Sequence, residues 1–293
     1  MERIGPIPSA DGKWVEELTP AFSRRLQDGG YFVSAPDREK FKSLGFVTLE
    51  NVLEENEVRE IETVYDLFAQ GKISGMGRDL CDMSGSYDDR FEDFSLINAM
   101  LPRVYRPDLQ GNIFEKISAD ISRQLIGDDI ALDYDQFLSK KPCCPAAAFA
   151  WHQDMGYWPA GTPDTRTATV SLAITDATLE NGCIRFLPGS HLPPKLWTHK
   201  PRPIGGEEDG NRKKSHTLVL DVGENPEMVY QPVKRGSVTV HDEWVVHGSG
   251  GNPSPRWRKT YVIAYRSRET VAYERSIGFT HSHNDAADFG FAQ

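Results

Sequence analysis

The stretch GSVTVHDEWVVHGSGGNPSPRWRKTYVIAYRS (236–267) indicates how this chain folds. It holds two runs, GSVTVH and KTYVIAYRS, in which apolar residues alternate with polar or small ones, separated by a turn rich in Gly and Pro. This alternation is typical of β-strands, because successive side chains point to opposite faces of a sheet. Three more runs share the period of two: ALDYDQFLS (131–139), TATVSLAIT (167–175) and GCIRFLP (182–188). Together they predict an antiparallel jelly roll or sandwich over residues 129–266.

Helices are predicted upstream of these strands. The segments EENEVREIETVYDLFAQGK (54–72) and GNIFEKISADISRQLIG (111–127) carry apolar residues at helical spacing. Because helices come first and strands second, without β-α-β alternation, no Rossmann domain is expected. We predict one mainly β domain, 1–293, in four parts: an irregular arm (1–38), a helical part (39–128), the jelly-roll core (129–266) and a polar tail (267–293).

Composition excludes several classes of function. The 293 residues carry a formal net charge of −10, so neither a nucleic acid nor an anionic membrane surface is an expected partner, since each requires a basic footprint. The N-terminus lacks the apolar core of a signal peptide, and no run approaches the roughly 18 apolar residues of a membrane span. Four cysteines in a chain this long do not indicate a disulfide framework. We therefore expect a cytoplasmic protein with reduced thiols.

The segment FAWHQDMGYWP (149–159) contains a candidate metal site. Residues i and i+2 of a strand project from the same face, so His152 and Asp154 can point into one cavity. A third ligand is available downstream, at His247 or at His241. Two histidines and one carboxylate form the facial triad that suits non-haem Fe(II) and leaves positions open for other ligands. The alternative is a pair of ordinary polar strand residues.

The residues of the last strand predict that an anion binds inside the same cavity. Its alternation places Arg258 and Thr260 on one face together with small residues. A buried arginine there needs an anion, because an unpaired buried charge is very costly. The far carboxylate of a dicarboxylate would satisfy Arg258 through a bidentate contact, and an internal salt bridge is the alternative. Of the two candidate histidines we favour His247 over His241, because His247 precedes a Gly-Ser-Gly turn that would let its side chain face this cavity.

With these residues assembled, the chain resembles the phytanoyl-CoA dioxygenase family of Fe(II)- and 2-oxoglutarate-dependent oxygenases. The resemblance extends from Phe41 to Arg266. It rests on the following segments: FKSLGFVTLENVL (41–53), DYDQFLSKKP (133–142), WHQDMGYWP (151–159), DATLENGCIRFLPGSH (176–191) and VVHGSGGNPSPRWRK (245–259). It implies a double-stranded β-helix fold, with Fe(II), 2-oxoglutarate and O2 as cofactor and cosubstrates.

The resemblance also implies roles for residues. Iron would be held by His152, Asp154 and His247. In the family an arginine lies eleven residues after the second histidine ligand, and counting from His247 reaches Arg258, whereas counting from His241 reaches Asn252. The 2-oxo acid end of the cosubstrate would chelate iron, and its distal carboxylate would pair with Arg258.

Further cosubstrate contacts are implied at three polar residues of the same segments. Ser249 and Thr260 are candidate hydroxyl donors to the distal carboxylate. Gln136 is expected to face inward on the preceding strand, where it would contact the cosubstrate or the substrate.

The function implied by the resemblance is oxidation of an unactivated C–H bond of a small molecule, with decarboxylation of 2-oxoglutarate to succinate and CO2. Hydroxylation is the first hypothesis, and tailoring of a natural product by oxidative cyclisation or desaturation is the second. The presence of Asp154 disfavours a halogenase, which needs a small residue there. Two alternatives of another class are a non-catalytic metal-binding jelly roll and a zinc site that uses Cys143 and Cys144, whose adjacent positions lack the usual chelating spacing.

Substrate-binding residues are expected beside the metal and in one long loop. Tyr157 and Trp158 could form a wall of the pocket. The loop THKPRPIGGEEDGNRKKSH (198–216) combines Gly205-Gly206 and an acidic cluster (Glu207, Glu208, Asp209) with a basic one (Arg212, Lys213, Lys214). It is either a solvated surface loop or a flap over the active site whose basic run meets an anionic group of the substrate.

Overall fold

A computed structural model describes residues 24–26, 29–204, 210–224 and 226–285, and the backbone of a short strand pair near the N-terminus. The strands are β1 (Ile7–Pro8), β2 (Trp14–Val15), β3 (Phe46–Leu49), β4 (Leu80–Asp82), β5 (Leu96–Met100), β6 (Ile130–Lys140), β7 (Phe149–His152), β8 (Thr167–Ala173), β9 (Ile184–Phe186), β10 (Lys200–Pro201), β11 (Leu218–Val219), β12 (Val229–Gln231), β13 (Val238–His241), β14 (His247–Ser249) and β15 (Arg258–Ser267). The helices are α1 (Ala35–Leu44), α2 (Glu55–Ala69), α3 (Pro102–Tyr105), α4 (Ile113–Ile126) and α5 (Arg268–Ser276), and short 3-10 turns include Asp154–Tyr157.

Two antiparallel sheets form the jelly roll. The major sheet has seven strands in the order β3-β13-β8-β15-β6-β5-β4, and the minor sheet has four in the order β12-β9-β14-β7. A cavity between the sheets is lined by residues of both. The predicted jelly-roll core is therefore confirmed. No helix of the described residues is long and apolar enough to cross a membrane.

Strand alternation gives the major sheet one apolar and one polar face. On β8, Ala168, Val170 and Leu172 belong to the large hydrophobic core, which also contains buried residues of α2 and α4. The residues between them, Thr169 and Ser171, line the cavity. The small and polar face is thus available for ligands, while the apolar face packs against the helices and stabilises the sheet.

The two helices predicted upstream are observed as α2 and α4, and their ends follow from capping. Glu54 and Glu57 form a capping box at the start of α2. The Asn112 side chain accepts a hydrogen bond from the Glu115 amide over 3.0 Å at the start of α4. Such caps satisfy amide donors that have no partner inside the helix.

The turn in DATLENGCIRFLPGSH has a structural role. The Asn181 side chain accepts from the amide of Thr178 over 2.7 Å and donates to the carbonyl of Asp176 over 2.8 Å. Gly182 follows with φ of +76°, and a Cβ at this position would lie 2.3 Å from the Gly250 carbonyl oxygen. Only glycine tolerates both demands, so this pair places β9 next to β14.

The predicted irregular arm and polar tail need correction. Tyr31 and Val33 are fully buried, and α1 begins within the arm at a capping box between Ser34 and Asp37. In the predicted tail, Ser267 caps α5 by accepting from the Thr270 amide over 3.2 Å. In both cases the start of the helix is visible in the sequence as an N-cap serine.

A buried carboxyl group makes the stability of the major sheet depend on pH. Asp135 is 1% exposed on the helix-facing side of β6, and the Tyr261 hydroxyl lies 3.1 Å from its Oδ2. Burial raises the pKa of Asp135 to about 7, compared with about 3.9 in an unfolded chain. The folded state therefore binds this proton more tightly, and the free energy of unfolding falls as the pH rises from about 4 to about 7.

We expect Asp135→Asn to remove most of this dependence. Between pH 5 and pH 8, the free energy of unfolding of the wild type should fall by about 2–3 kcal/mol more than that of the variant. Urea denaturation at the two pH values measures the difference. Parallel pH profiles of the two proteins would contradict the assignment.

Candidate metal centre and ligand cavity

The two strand ends that carry the predicted histidine ligands meet in the minor sheet. His152 is the last residue of β7 and His247 the first of β14, and the two are direct cross-strand partners. Direct partners of an antiparallel pair place their Cβ atoms about 5 Å apart, and here the ring centroids are 4.3 Å apart. Asp154 follows two residues after His152, at the start of a 3-10 turn.

The three side chains converge on one point of the cavity. His152 Nε2 lies 3.2 Å and His247 Nε2 lies 3.5 Å from Asp154 Oδ1. One ligand atom from each of the three residues lies within 4.8 Å of the others. Two imidazole nitrogens and one carboxylate oxygen at this spacing fit a divalent cation such as Fe(II).

Backbone contacts orient both rings for metal binding. His152 Nδ1 lies 2.8 Å from the Ala150 carbonyl oxygen, and His247 Nδ1 lies 3.1 Å from that of Val245. A carbonyl oxygen can only accept, so each Nδ1 carries the proton and each Nε2 presents a lone pair to the cavity. Burial lowers the pKa of His247 well below its usual value, which keeps this ring neutral.

His241 contacts the carboxylate from the other side. It is 3% exposed, and its Nε2 lies 3.1 Å from Asp154 Oδ2. Burial opposes ionisation of Asp154, but His247, His152 and His241 together hold the pKa of this carboxyl well below its usual value. The geometry therefore gives His241 a different position from His247: it supports the oxygen of Asp154 that faces away from the other two rings.

The predicted cosubstrate residues line the same cavity as the triad. Arg258, Thr260, Ser249 and Gln136 all contribute to its lining. No carboxylate among the described residues forms an ion pair with Arg258, and its Nε has no hydrogen-bond partner there. Burial lowers the pKa of this guanidinium. The alternative of an internal salt bridge is thus not observed, and the site fits an external anion.

Lys140 is a buried amine next to Arg258 that the sequence analysis missed. It is 1% exposed and lies opposite Arg258 in the pairing of β6 with β15. Its Nζ donates to Ser249 Oγ over 2.6 Å and also to the Gly250 carbonyl. Burial and the neighbouring Arg258 lower the pKa of Lys140 to about 6. Strand parity with Gln136 was the available signal, since both residues have even positions on β6.

Tyr157 and Trp158 form part of the cavity wall next to the metal centre. The Tyr157 hydroxyl accepts from the Leu218 amide over 2.8 Å, and its ring stacks on His216 with centroids 4.9 Å apart. Trp158 is 1% exposed, with the Arg266 guanidinium 3.1 Å above its ring. These contacts fix both aromatic rings in place.

The basic run of the long loop lies beside the cavity. Arg212 lies over the Tyr157 ring at 5.6 Å, whereas Lys213 and Lys214 are exposed. None of the three lines the cavity, because the turn here follows the outside of the wall and directs both lysines to solvent. The predicted Gly205-Gly206 pair and the acidic cluster at 207–209 lie outside the described residues.

The C-terminal segment forms another part of the wall, which the sequence analysis also missed. His281 and His283 line the cavity. The Ser282 hydroxyl donates to the buried carboxylate of Asp79 over 2.8 Å, and the His283 amide donates to the same group over 2.6 Å. Residues 281–283 are therefore fixed against a segment about two hundred positions earlier in the chain.

A second group of buried acidic residues anchors this segment. Asp133, Glu274 and His281 lie close enough together to resemble a metal site. However, Arg266 pairs with Asp133 over 2.9 Å and with Glu274 and Glu243 over 2.7 Å each. Because the arginine already compensates these carboxylates, the cluster is a structural ion network. Cys143 and Cys144 belong to neither potential metal group of the described residues.

Comparisons with known proteins show which family this chain resembles. The family model of phytanoyl-CoA dioxygenase (PhyH) matches residues 41–260. The ectoine dioxygenase of Streptomyces anulatus is 30% identical over 52% of this chain and 53% of its own length, so the chain spans about half of that relative. The ectoine dioxygenase of Streptomyces coelicolor is 26% identical over 83% of this chain and 80% of its own length.

A solved structure extends the similarity to a cosubstrate complex. The crystal structure of EvdO2 from Micromonospora carbonacea var. aurantiaca complexed with 2-oxoglutarate is 25% identical, with a TM-score of 0.62. The superposition covers 80% of this chain and 91% of that one. Because the family model matches most of the sequence, the chain belongs to the phytanoyl-CoA dioxygenase (PhyH) family of dioxygenases, which use Fe(II), 2-oxoglutarate and O2.

Proposed function

We propose that this protein oxidises an unactivated C–H bond of a small molecule, with hydroxylation as the outcome. The observation that carries the proposal is the position of two sites in one cavity. A triad of two histidines and a carboxylate lines this cavity, and so does Arg258, which forms no ion pair with a carboxylate of the described residues. This arrangement suits a dicarboxylate that reaches from the metal to the arginine.

Each of the predicted site residues has a separate role in this proposal. His152, Asp154 and His247 would hold Fe(II) through two imidazole nitrogens and one carboxylate. Arg258 binds the distal carboxylate. Bound Fe(II) with 2-oxoglutarate and O2 supplies the oxidant that removes hydrogen from the substrate, while the cosubstrate becomes succinate and CO2.

The polar neighbours of Arg258 position the distal carboxylate. Thr260 lies two residues further along the same face of β15 and can donate its hydroxyl proton. Lys140 donates to Ser249, so the hydroxyl proton of Ser249 remains available for the carboxylate. Gln136 lines the cavity on the neighbouring strand, where its amide can contact the cosubstrate or the substrate.

The wall around the metal excludes water and holds the substrate. Tyr157 and Trp158 are fixed by the contacts described above, and the loop 198–216 contributes His216 to the lining. We propose that the described parts of this loop, 198–204 and 210–216, cover the bound substrate, because an open site would expose the reaction to solvent. An anionic group of the substrate could reach Arg212 only at the outer rim, beside Tyr157.

The test is turnover with purified protein, Fe(II), 2-oxoglutarate and O2. Candidate substrates are ectoine, amino acids, acyl-CoA thioesters and terpenoids, and the measurements are succinate formation and the mass of the product. Hydroxylation adds one oxygen atom, whereas cyclisation or desaturation removes two hydrogen atoms. The His152→Ala variant is the negative control. A protein that binds iron but forms no succinate, with or without any candidate, would overturn the proposal in favour of a non-catalytic binding protein.

A further inference from the structure

One buried side chain of the cavity has polar atoms without adequate partners. Asn98 lies on β5, lines the cavity and is 1% exposed. Among the described residues, neither its amide oxygen nor its amide nitrogen reaches a hydrogen-bond partner, apart from a contact with the Cys81 thiol, which is a weak hydrogen-bonding group. Leaving a buried amide in this state carries an uncompensated desolvation penalty, so the side chain is suited to a ligand.

The position of Asn98 separates it from the cosubstrate end. In the strand pairing, Asn98 lies opposite Leu138 of β6, and Leu138 lies opposite Thr260 of β15. Two strand spacings place Asn98 about 10 Å from Thr260 across the sheet. A molecule bound between Arg258 and the metal centre would not fill the space at Asn98.

A continuous set of side chains links Asn98 to the metal centre. The Cys81 thiol lies 3.6 Å from His283 Nδ1. The His283 ring stacks on His216 with centroids 4.0 Å apart, and His216 stacks on Tyr157. The Tyr157 ring in turn lies 5.9 Å from that of His152. This set, which we call the ring wall (Tyr157, His216, His283), faces the part of the cavity that the substrate must occupy.

The lining near Asn98 carries no unpaired charge among the described residues. Its apolar members are Met83, Met100 and Phe149. Burial lowers the pKa of His283 to about 4 and that of His216 well below its usual value, so both rings are neutral at physiological pH. Two other basic residues of the cavity lining are already paired: Arg266 with three carboxylates, and His281 with Asp133 over 2.7 Å.

We propose that Asn98 is a specificity-determining residue that binds a neutral group of the substrate carrying a hydrogen-bond donor and an acceptor side by side, namely a carboxamide or a lactam. This inference rests on the proposed function, since it concerns the substrate of the same site. Met83, Met100 and Phe149 contact the apolar part of the substrate, and the ring wall covers it. A carboxylate would leave the Asn98 oxygen without a donor, and an ammonium group would leave its nitrogen without an acceptor.

The test measures binding of matched probes by calorimetry. Benzamide, nicotinamide and δ-valerolactam are compared with benzoate, nicotinate and toluene, which keep the size but lack the neutral donor–acceptor group. Each probe is titrated into metal-free protein and into protein loaded with Fe(II) and 2-oxoglutarate under anaerobic conditions. We expect the amides to bind better than their matched acids, and Asn98→Leu to weaken amide binding by about tenfold or more.

Two further variants make the result specific. Asn98→Asp keeps the shape but removes the donor, so it should also weaken the amides, whereas toluene should bind both variants as it binds the wild type. Asn98→Ser replaces the leucine variant if that protein does not unfold cooperatively. The inference is overturned if no amide binds, or if Asn98→Leu weakens all probes equally or none. Failure of the wild type to bind Fe(II) and 2-oxoglutarate would instead overturn the proposed function, while the metal-free titrations still test Asn98.

Discussion

Fe(II)-dependent turnover should be abolished, and bound iron should fall far below one equivalent, when alanine replaces His152, Asp154 or His247. Each change removes one of the three proposed protein ligands, and the remaining two cannot hold the ion in the facial arrangement. Iron content after desalting and succinate formation at saturating cosubstrate are the two measurements. Asp154→Gly should behave in the same way, because it too removes the anionic ligand.

His241→Ala is the informative comparison for this prediction. Its ring contacts Asp154 Oδ2 rather than the shared point at Oδ1, so it should orient the carboxylate without binding the metal. Removing such a supporting group typically weakens metal affinity by about 10–100-fold, and turnover should therefore return when Fe(II) is raised. His191→Ala is a matched control, since His191 is also buried but contacts the Lys42 carbonyl outside the cavity.

One combination of results would contradict the ligand assignment. If His241→Ala lost iron irreversibly while His247→Ala retained it, His241 would be the third ligand. The counting of eleven residues to Arg258 would then lose its basis as well.

Arg258→Ala should raise the apparent KM for 2-oxoglutarate steeply and leave iron affinity nearly unchanged. A buried arginine paired with a carboxylate costs about 2–5 kcal/mol when it is truncated, which corresponds to at least a roughly 30-fold change. Arg258 is not a member of the triad, so the substitution leaves the proposed ligands of the ion in place. Succinate formation at varied cosubstrate and a separate iron titration measure the two effects.

Arg256→Ala serves as the matched control. Arg256 lies two positions before Arg258 and so has the same parity, but its side chain is 67% exposed and lies 3.3 Å from Glu180. An exposed pair of this kind contributes about 0–1 kcal/mol, so the KM should not change. An unchanged KM in Arg258→Ala, or a large change in Arg256→Ala, would remove Arg258 from the cosubstrate site.

Much of the fold and of the centre of the site could be predicted from the sequence. The period of two gave the strands, and the apolar spacing gave α2 and α4. The alternation in β15 placed Arg258 on the cavity face. These features are local, because a strand or helix determines which neighbours share a face within a few residues.

Other parts of the site depended on contacts between distant segments. The His241–Asp154 contact joins residues 87 positions apart, and the chain holds no local pattern that distinguishes a ligand from a residue that supports one. His283 reaches the cavity only because its segment is anchored to Asp79, 204 positions earlier. The unpaired amide of Asn98 is visible only when its surroundings are known.

The sequence by itself thus determined the period and facing of the strands, and with them the side chains that can point into the cavity. Only the tertiary structure decided which of those side chains meet. It also decided which cations lack a carboxylate partner and which polar atoms lack a hydrogen-bond partner among the described residues. The physical reason is that facing follows from backbone geometry over a few residues. Pairing, in contrast, is decided by packing between elements whose separation in the chain carries no information about their distance in space.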